Sequence, residues 1–326
     1  MAMIGSELVF RDRLGRWQAR WGIGRMSYLV PPGLYAIGVP DADSPVLVTA
    51  NYKMSYDLVR SAMAGKNVWL LVLETFGINV WCAAGKGTFG TGELVRRLEA
   101  TGVGQVVKHR CLLLPIMGAA GVKAVEVKKR TGFAVHFATL RIDDLPAFID
   151  NGFVAEPGMR ELTFSWQERL ALTPVELVSA MKSVLYLGAP MALAAGFLHG
   201  HYRLDRSVVA LLLYLAALLC GTVITPLLLP LLPGRMFSLK GALVGFAGAV
   251  AACGLVKTHL AGRIWDMVAL LLLMPAISAF CAMTFTGSTP FTSPSGVRLE
   301  MRRAMPLMLL GVGAGLVMLA AGRFMA

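Results

Sequence analysis

The segment VWLLVLETFGINVWCAAGK, residues 68–86, decides the fold of the N-terminal half of the chain. Residues 68–74 are rich in Val and Leu and end at a polar residue, which is typical of a buried β-strand. A second such run, Val46–Ala50, lies upstream, and residues 55–64 between the two runs have helical spacing. A strand, a helix and a second strand in this order predict a parallel sheet with a right-handed crossover.

The alternation of strands and helices continues to about residue 150. Strands are predicted over 106–115 and 133–140, and helices at 94–98, 121–129 and 142–150. The fold class predicted for this half is therefore α/β, with a Rossmann-like parallel sheet. Ligands of such sheets bind beyond the carboxyl ends of the strands. The segment that follows residues 68–74 is the first place to look for a functional site.

The C-terminal half has the composition of a membrane domain. The chain has 326 residues, of which 15% are charged, and residues 182–326 contain 11 basic but only three acidic residues. A soluble protein carries roughly 25% charged residues, and a membrane helix needs about 20 apolar ones. An α-helical transmembrane domain of about five spans is predicted, four being the alternative, over residues 183–200, 207–232, 237–256, 264–285 and 304–325.

These patterns predict a domain over residues 1–165, a connector over 166–182 and a transmembrane domain over 183–326. The first 24 residues lack the apolar core of a secretory signal and carry several arginines. We therefore expect a multi-pass protein of the cytoplasmic (inner) membrane whose N-terminal domain lies in the cytoplasm. The net charge of +12 is explained by basic residues next to membrane lipid, so no nucleic-acid partner is expected.

Residues 85–88, Gly-Lys-Gly-Thr, lie between a predicted strand and a predicted helix, where phosphate-binding loops occur. Such a loop needs another glycine five residues before Gly85, so that backbone amides can surround the phosphates. Val80 occupies that position, and Trp81 and Cys82 would crowd the loop. A nucleotide-binding loop is therefore excluded.

The second interpretation of this segment is a cysteine presented on a short helix. If residues 79–86 are helical, Cys82 shares a face with Ile78, Gly85 and Lys86. The small residues 83–85 would leave room near the sulfur for a large, flat ligand. Alternatively, Cys82 is a small buried apolar residue, the common role of an unpaired cysteine. Spacing alone does not choose between the two.

The octapeptide NVWCAAGK, residues 79–86, resembles the signature of the HgcA family, the corrinoid proteins of microbial mercury methylation in anaerobes. Residues 32–36, 44–55, 73–91 and 126–133 are similar to that family too, as is the order of a soluble domain and about five spans. One departure is the segment 114–121, where the resemblance leads us to expect a more polar loop with a further proline.

The resemblance implies a corrinoid-binding domain in which Cys82 is the lower axial ligand of cobalt and the catalytic residue. It implies cofactor contacts from the whole octapeptide, Asn79, Val80, Trp81, Cys82, Ala83, Ala84, Gly85 and Lys86. Thr88, Gly90 and Thr91 are expected to line the edge of the cofactor, with a helix N-cap as the alternative role of Thr91.

The expected activity is that of a corrinoid-dependent methyltransferase, which transfers a methyl group from cobalt to Hg(II) and forms methylmercury. A thiolate donor should favour release of the methyl group as a carbanion equivalent. One alternative is a corrinoid methyl carrier of one-carbon or acetyl-CoA metabolism. An alternative of another class is a transporter with a regulatory domain, which the scarcity of charges within the spans disfavours.

The cysteine pattern bears on the partners. Five cysteines occur without a Cys-x-x-Cys pair, so no intrinsic iron–sulfur cluster is expected. No histidine lies in an Asp-x-His-x-x-Gly motif, the other common corrinoid signature. The resemblance therefore implies a separate HgcB-like ferredoxin that reduces the cobalt. It also implies a methyl-donor protein or methyl-folate system, with Hg(II) as the substrate.

Overall fold

A computed structural model describes residues 2–198, 201–255, 264–289 and 291–324. The chain forms two compact units, Met1–Thr163 and Phe164–Ala326.

The first unit consists of a six-stranded sheet and seven helices. The strands are β1 Ala2–Ile4, β2 Gly33–Ile37, β3 Val46–Ala50, β4 Val68–Leu73, β5 Cys111–Leu114 and β6 Ala134–Phe137. The helices are α1 Phe10–Arg20, α2 Lys53–Ala62, α3 Val80–Lys86, α4 Thr91–Thr101, α5 Val103–Val106, α6 Ala124–Thr131 and α7 Leu145–Asp150. The strand order is β1-β2-β4-β3-β5-β6.

The predicted α/β fold is confirmed, and its core is parallel. Strand β3 pairs in parallel with both β4 and β5, so that Val46 lies opposite Trp69 on one side and Leu112 on the other. All six residues of β4 are buried, because apolar clusters cover both faces of the sheet. A strand buried on both faces has a continuous apolar sequence, which is why it was identifiable.

The sheet is mixed rather than wholly parallel. Strand β2, which was not predicted, pairs antiparallel with β4, and the short β1 extends the sheet beyond it. The predicted strand at 106–115 is shortened to β5. Val106 belongs instead to α5, and before the strand the Arg110 guanidinium donates hydrogen bonds to the carbonyls of Val107 and Gly104.

Within the residues that the structure describes, the second unit contains five helical segments long and apolar enough to cross a membrane, which agrees with the predicted number. They are Trp166–Gly196, Leu204–Leu228, Phe237–Leu255, Ile264–Gly287 and Ser295–Gly322. Their constituent α-helices are α8 Trp166–Ser183, α9 Ala189–Gly196, α10 Leu204–Leu219, α11 Thr225–Leu228, α12 Phe237–Leu255, α13 Ile264–Thr284 and α14 Pro294–Phe324. The π-helical turns Val184–Gly188 and Cys220–Ile224 interrupt the first two segments.

The bounds of the first span differ from the prediction. Residues 166–182, expected to form a connector, are helical and continuous with the first apolar segment. A capping box starts this helix, because the Ser165 hydroxyl accepts from the Glu168 amide and the Glu168 carboxylate accepts from the Ser165 amide. Residues 199–200, 256 and 325, included in predicted spans, lie outside the described residues.

Small residues bring α12 and α13 close together. A Cβ added to Gly241 would lie 2.5 Å from the Cβ of Ala282, and one added to Gly245 would lie 2.7 Å from the Cβ of Ser278. The Ser278 hydroxyl donates a 2.7 Å hydrogen bond to the Gly241 carbonyl. Close backbone approach at small residues, with polar bonds between helices, is the usual way in which membrane helices associate.

Candidate functional site at the carboxyl ends of the strands

One buried amide holds the loop that follows β4. Asn51 comes directly after β3 and is 2% exposed. Its Oδ1 accepts hydrogen bonds from the backbone amides of Thr75 and Gly77, both at 3.1 Å, and lies 2.9 Å from the Thr75 hydroxyl. Its Nδ2 donates to Glu74 Oε1 at 2.7 Å. Because a buried polar atom is costly to leave unbonded, this side chain fixes the path of the loop.

The backbone of this loop turns sharply. Phe76 has φ +55° and Gly77 has φ +70°, so two consecutive residues lie in the left-handed region. That conformation is unfavourable for Phe76, and its amide is held by a 2.9 Å hydrogen bond to Glu74 Oε1. A Cβ on Gly77 would lie 2.8 Å from the side chain of Leu29. The turn therefore requires glycine and directs the chain into α3.

The predicted helix over residues 79–86 is confirmed as α3 with Asn79 as its N-cap. The Asn79 Oδ1 accepts a 3.0 Å hydrogen bond from the Cys82 amide, which satisfies a free donor of the first turn. Gly87, with φ +81°, ends the helix in the left-handed conformation. Cys82 is partly exposed, whereas Gly85 and Lys86 are exposed. The open side of α3 thus presents a thiol beside a position without a side chain.

The two alanines of α3 have a different role from the one expected. Ala83 and Ala84 are buried at 0% and 4% exposure and belong to the core of the unit. Their small size therefore lets the helix pack closely on the protein and does not clear space around the sulfur. Only Gly85 leaves the outer surface open beside Cys82.

The segment 114–121, which departs from the expected loop, supports α3 from below. A Cβ on Gly121 would lie 2.1 Å from the Phe89 carbonyl oxygen and 3.0 Å from the Ala84 Cα. A Cβ on Gly118 would lie 2.6 Å from the Phe89 ring. Both glycines are therefore needed for close packing. Sequence reasoning did not identify this role, because nothing local shows what packs against a glycine.

A cavity of about 290 Å³ lies at the carboxyl ends of the parallel strands. Asn79, Val80 and Trp81 line it from α3. The opposite side is formed by the ends of the strands and the segments after them, including Val48, Thr49, Leu114, Pro115 and Thr139. This is the edge at which ligands of parallel sheets bind. The cavity and the exposed side of α3 lie next to each other along the same short helix.

The predicted contact residues after Trp81, from Cys82 to Lys86 in α3 and Thr88, Gly90 and Thr91 beyond it, do not line this cavity. The Thr88 hydroxyl donates to the Ala83 carbonyl at 3.4 Å. The N-cap of α4 is Gly90, and no side chain bonds there. Thr91 is already helical, and its hydroxyl accepts a 2.9 Å hydrogen bond from the Lys123 amide. The alternative role of Thr91 as an N-cap is therefore wrong.

Glu93 supports the loop from α4. Its Oε1 accepts a 2.8 Å hydrogen bond from the Glu74 amide, and Arg96 and Arg97 pair with the same carboxylate. Burial alone would raise the pKa of Glu93. The hydrogen bonds from the Glu74 amide and the two guanidinium groups outweigh burial and hold the pKa below its ordinary value. The carboxylate thus stays charged at neutral pH.

The cysteines are unpaired, and Cys82 differs from the others in position. All five are free thiols. Cys111 lies in β5, where burial raises the pKa of its thiol. Within the described ranges, no three His, Cys, Asp or Glu side chains are grouped so as to hold a metal ion.

Residues 24–143 match the family of the CO dehydrogenase/acetyl-CoA synthase delta subunit. The gamma subunit of the acetyl-CoA decarbonylase/synthase complex of Methanopyrus kandleri is 39% identical over 124 residues, 37% of this chain and 26% of that protein. Its counterpart in Methanocaldococcus jannaschii is 30% identical over 131 residues, 40% and 26% respectively. The chain thus spans about a quarter of the length of these relatives. The region matched by the family includes Asn51, the whole of α3, Glu93 and Gly121.

Replacing Asn51 with alanine should loosen the loop without unfolding the unit. Asn51→Ala leaves the buried amides of Thr75 and Gly77 without acceptors, and the free-energy cost of about 1–3 kcal/mol corresponds to roughly 5- to 150-fold faster exchange of loop amides. Hydrogen exchange of residues 74–82, followed by mass spectrometry, measures this. Asn67→Ala is the control, because the Asn67 side chain accepts one hydrogen bond from a loop amide, that of Val39, at an exposed position. Equal exchange in both variants would contradict the role of Asn51.

Replacing Gly121 with alanine should displace α3. The added Cβ meets backbone atoms of Phe89 and Ala84, which cannot rotate away, and such overpacking typically costs about 1–3 kcal/mol. We expect faster amide exchange over residues 83–91 in Gly121→Ala. Gly92→Ala is the control, because no atom lies within 4 Å of a Cβ there. Unchanged exchange in Gly121→Ala would show that the packing beneath α3 is not tight.

Proposed function

We propose that the first unit binds a corrinoid and that the chain is a membrane-linked, corrinoid-dependent methyl carrier. The observation that carries the proposal is the free, partly exposed thiol of Cys82 on a capped helix at the carboxyl edge of the sheet. When bound, the cofactor supplies a cobalt centre that carries and releases a methyl group. The similarity of residues 24–143 to subunits of acetyl-CoA complexes supports this general activity.

The residues present fit such a cofactor. A thiolate is a strong metal ligand, and Gly85 leaves the surface beside Cys82 free for a flat ring. The cavity of about 290 Å³ is at the lower end of the range of small-molecule sites. A corrinoid is larger than this, so it would extend from the cavity over the exposed side of α3.

Each residue of the octapeptide then has a role of its own. Cys82 would hold the cobalt of the cofactor through its sulfur, and Asn79 fixes the first turn of α3 by accepting from the Cys82 amide. Val80 and Trp81 would contact the cofactor from the wall of the cavity. Lys86, exposed at the end of the helix, would pair with a polar substituent. Ala83, Ala84 and Gly85 let the helix lie close to both core and cofactor.

We propose further that the methyl acceptor is Hg(II), so that the product is methylmercury. The resemblance of residues 79–86 to the mercury-methylation signature supports this choice, together with the donor strength of a thiolate. The absence of a Cys-x-x-Cys pair in the sequence supports a separate HgcB-like ferredoxin as the electron donor. A methyl-donor protein or methyl-folate system would supply the methyl group. The membrane helices would anchor the carrier in the cytoplasmic membrane with its first unit in the cytoplasm.

The second candidate function is a methyl carrier of one-carbon or acetyl-CoA metabolism. The curated relatives favour it, since the proteins matched are named as subunits of acetyl-CoA decarbonylase/synthase complexes. This similarity extends over about a quarter of those proteins, so it supports the shared cofactor domain better than a shared acceptor.

Replacing Cys82 separates cobalt ligation from packing. Because Cys82 is partly exposed and alanine has the best helix propensity, Cys82→Ala should change the free energy of unfolding by no more than about 1 kcal/mol. The visible spectrum of the bound corrinoid should nevertheless shift, and methyl transfer should be lost. Cys82→His should retain the corrinoid with a weaker donor and lower methyl transfer steeply.

Cys111→Ala is the control for this experiment. Cys111 is also a partly exposed free thiol of the first unit but lies in β5, and its removal should leave the spectrum unchanged. A wild-type spectrum and full methyl transfer in Cys82→Ala would contradict both the ligand assignment and the proposed function.

The acceptor is tested with full-length protein in nanodiscs, loaded with a methylated corrinoid. We expect addition of Hg(II) to yield methylmercury, measured by gas chromatography with mass detection, faster than from the free cofactor. In Cys82→Ala, the rate of methylmercury formation should fall to that of the free cofactor. Methyl transfer to an acetyl-CoA synthase with CO and coenzyme A, without transfer to Hg(II), would support the second candidate and contradict the first.

A further inference from the structure

Helix α1 exposes an apolar stripe on the face turned away from the protein. Phe10, Leu14 and Trp17 follow the i, i+4, i+7 spacing of one helical face and are 79%, 40% and 58% exposed. Trp21 follows the helix and extends the stripe, with its ring centroid 5.9 Å from that of Trp17 and the two rings tilted by 49°. Exposed apolar side chains that form one stripe indicate a contact surface.

The opposite face of α1 is fixed to the unit by specific contacts. Asp12 accepts hydrogen bonds from Lys53 and Arg60 of α2, both at 2.6 Å. Ala19 is fully buried, and a Cβ on Gly15 would lie 2.7 Å from the Tyr28 hydroxyl. The stripe is therefore a defined outer surface, and α1 is not free to rotate it toward the core.

Basic side chains flank the stripe. At 100° per residue, Arg13 and Arg20 lie on one side of it and Arg11 lies on the other. Arg11 and Arg13 are exposed. An amphipathic helix with Trp, Phe and Leu on one face and arginines beside them is the pattern of helices that lie in the plane of a membrane interface.

We propose that α1 lies on an anionic lipid surface, with its apolar stripe among the acyl chains and its arginines at the lipid phosphates. The charge of the arginines complements anionic headgroups, and tryptophan is favoured at the interface. The same chain carries five candidate membrane spans. Because these spans would hold the first unit close to a membrane, α1 would meet lipid at a high effective concentration. A stripe of three or four side chains would then be enough to bind the lipid surface.

Helix α2 connects α1 with the candidate site. The Asp12 carboxylate joins α1 to Lys53 and Arg60, and Ser55 and Val59 of the same α2 line the cavity. Contact of α1 with lipid would therefore set the orientation of the cavity relative to the membrane surface.

The test uses the full-length chain, one copy per nanodisc, in phosphatidylcholine with or without phosphatidylglycerol. We expect amide hydrogen exchange of residues 10–21 to be roughly fivefold slower with the anionic lipid. The double variant Leu14→Ser, Trp17→Ser and the double variant Arg11→Glu, Arg13→Glu should each lose this protection. Val125→Ser is the control, because Val125 is 84% exposed on α6 and lies outside the stripe.

Quenching by brominated lipid provides a second measurement. The difference in fluorescence between the wild-type protein and Trp17→Phe gives the emission of Trp17 alone. We expect the brominated lipid to quench this emission in the anionic nanodiscs. Equal exchange and no quenching in both lipids would overturn the proposal. Protection in detergent that rises with protein concentration would also overturn it, because a second copy of the chain would then cover the stripe.

Discussion

The side-chain amide of Asn51 joins the end of β3 to the loop that presents α3. It accepts from two backbone amides of that loop and donates to Glu74, whose carboxylate in turn holds the strained Phe76 amide. The Glu74 amide is bound by Glu93 of α4. Removing the amide of Asn51 would leave several buried partners unsatisfied at once, so the position of Cys82 depends on it.

Helix α3 is short, and its position is determined by contacts with residues outside it. Seven residues form too little helix to be stable alone. Asn79 accepts a hydrogen bond from a backbone amide of the first turn, and Gly87 ends the helix. Gly121 has no side chain and can therefore pack closely against the backbone of Ala84 and Phe89. This arrangement leaves the side of α3 that carries Cys82 and Gly85 open and packs the side that carries Ala83 and Ala84 against the core.

Sequence reasoning succeeded where a pattern is local. The continuous apolar runs of β3 and β4 and the five membrane segments follow from periodicity and length, whereas the helix over residues 79–86 was one of two interpretations of its segment and was favoured by the family resemblance. It missed β2, whose antiparallel pairing depends on a partner 35 residues away. Asn51 was missed for a similar reason, although a polar residue directly after a buried strand was an available signal. The face of α1 was missed because its apolar side points outward, contrary to the usual pattern of a helix on a core.

The central claim is that the Cys82 sulfur is an axial ligand of a corrinoid cobalt. Cobalt K-edge X-ray absorption of the full-length protein loaded with corrinoid tests it most directly, because the fine structure distinguishes sulfur from nitrogen and oxygen neighbours. We expect one sulfur scatterer at bonding distance in the wild-type protein and none in Cys82→Ala. A cobalt shell of nitrogen and oxygen alone in the wild-type protein would contradict it.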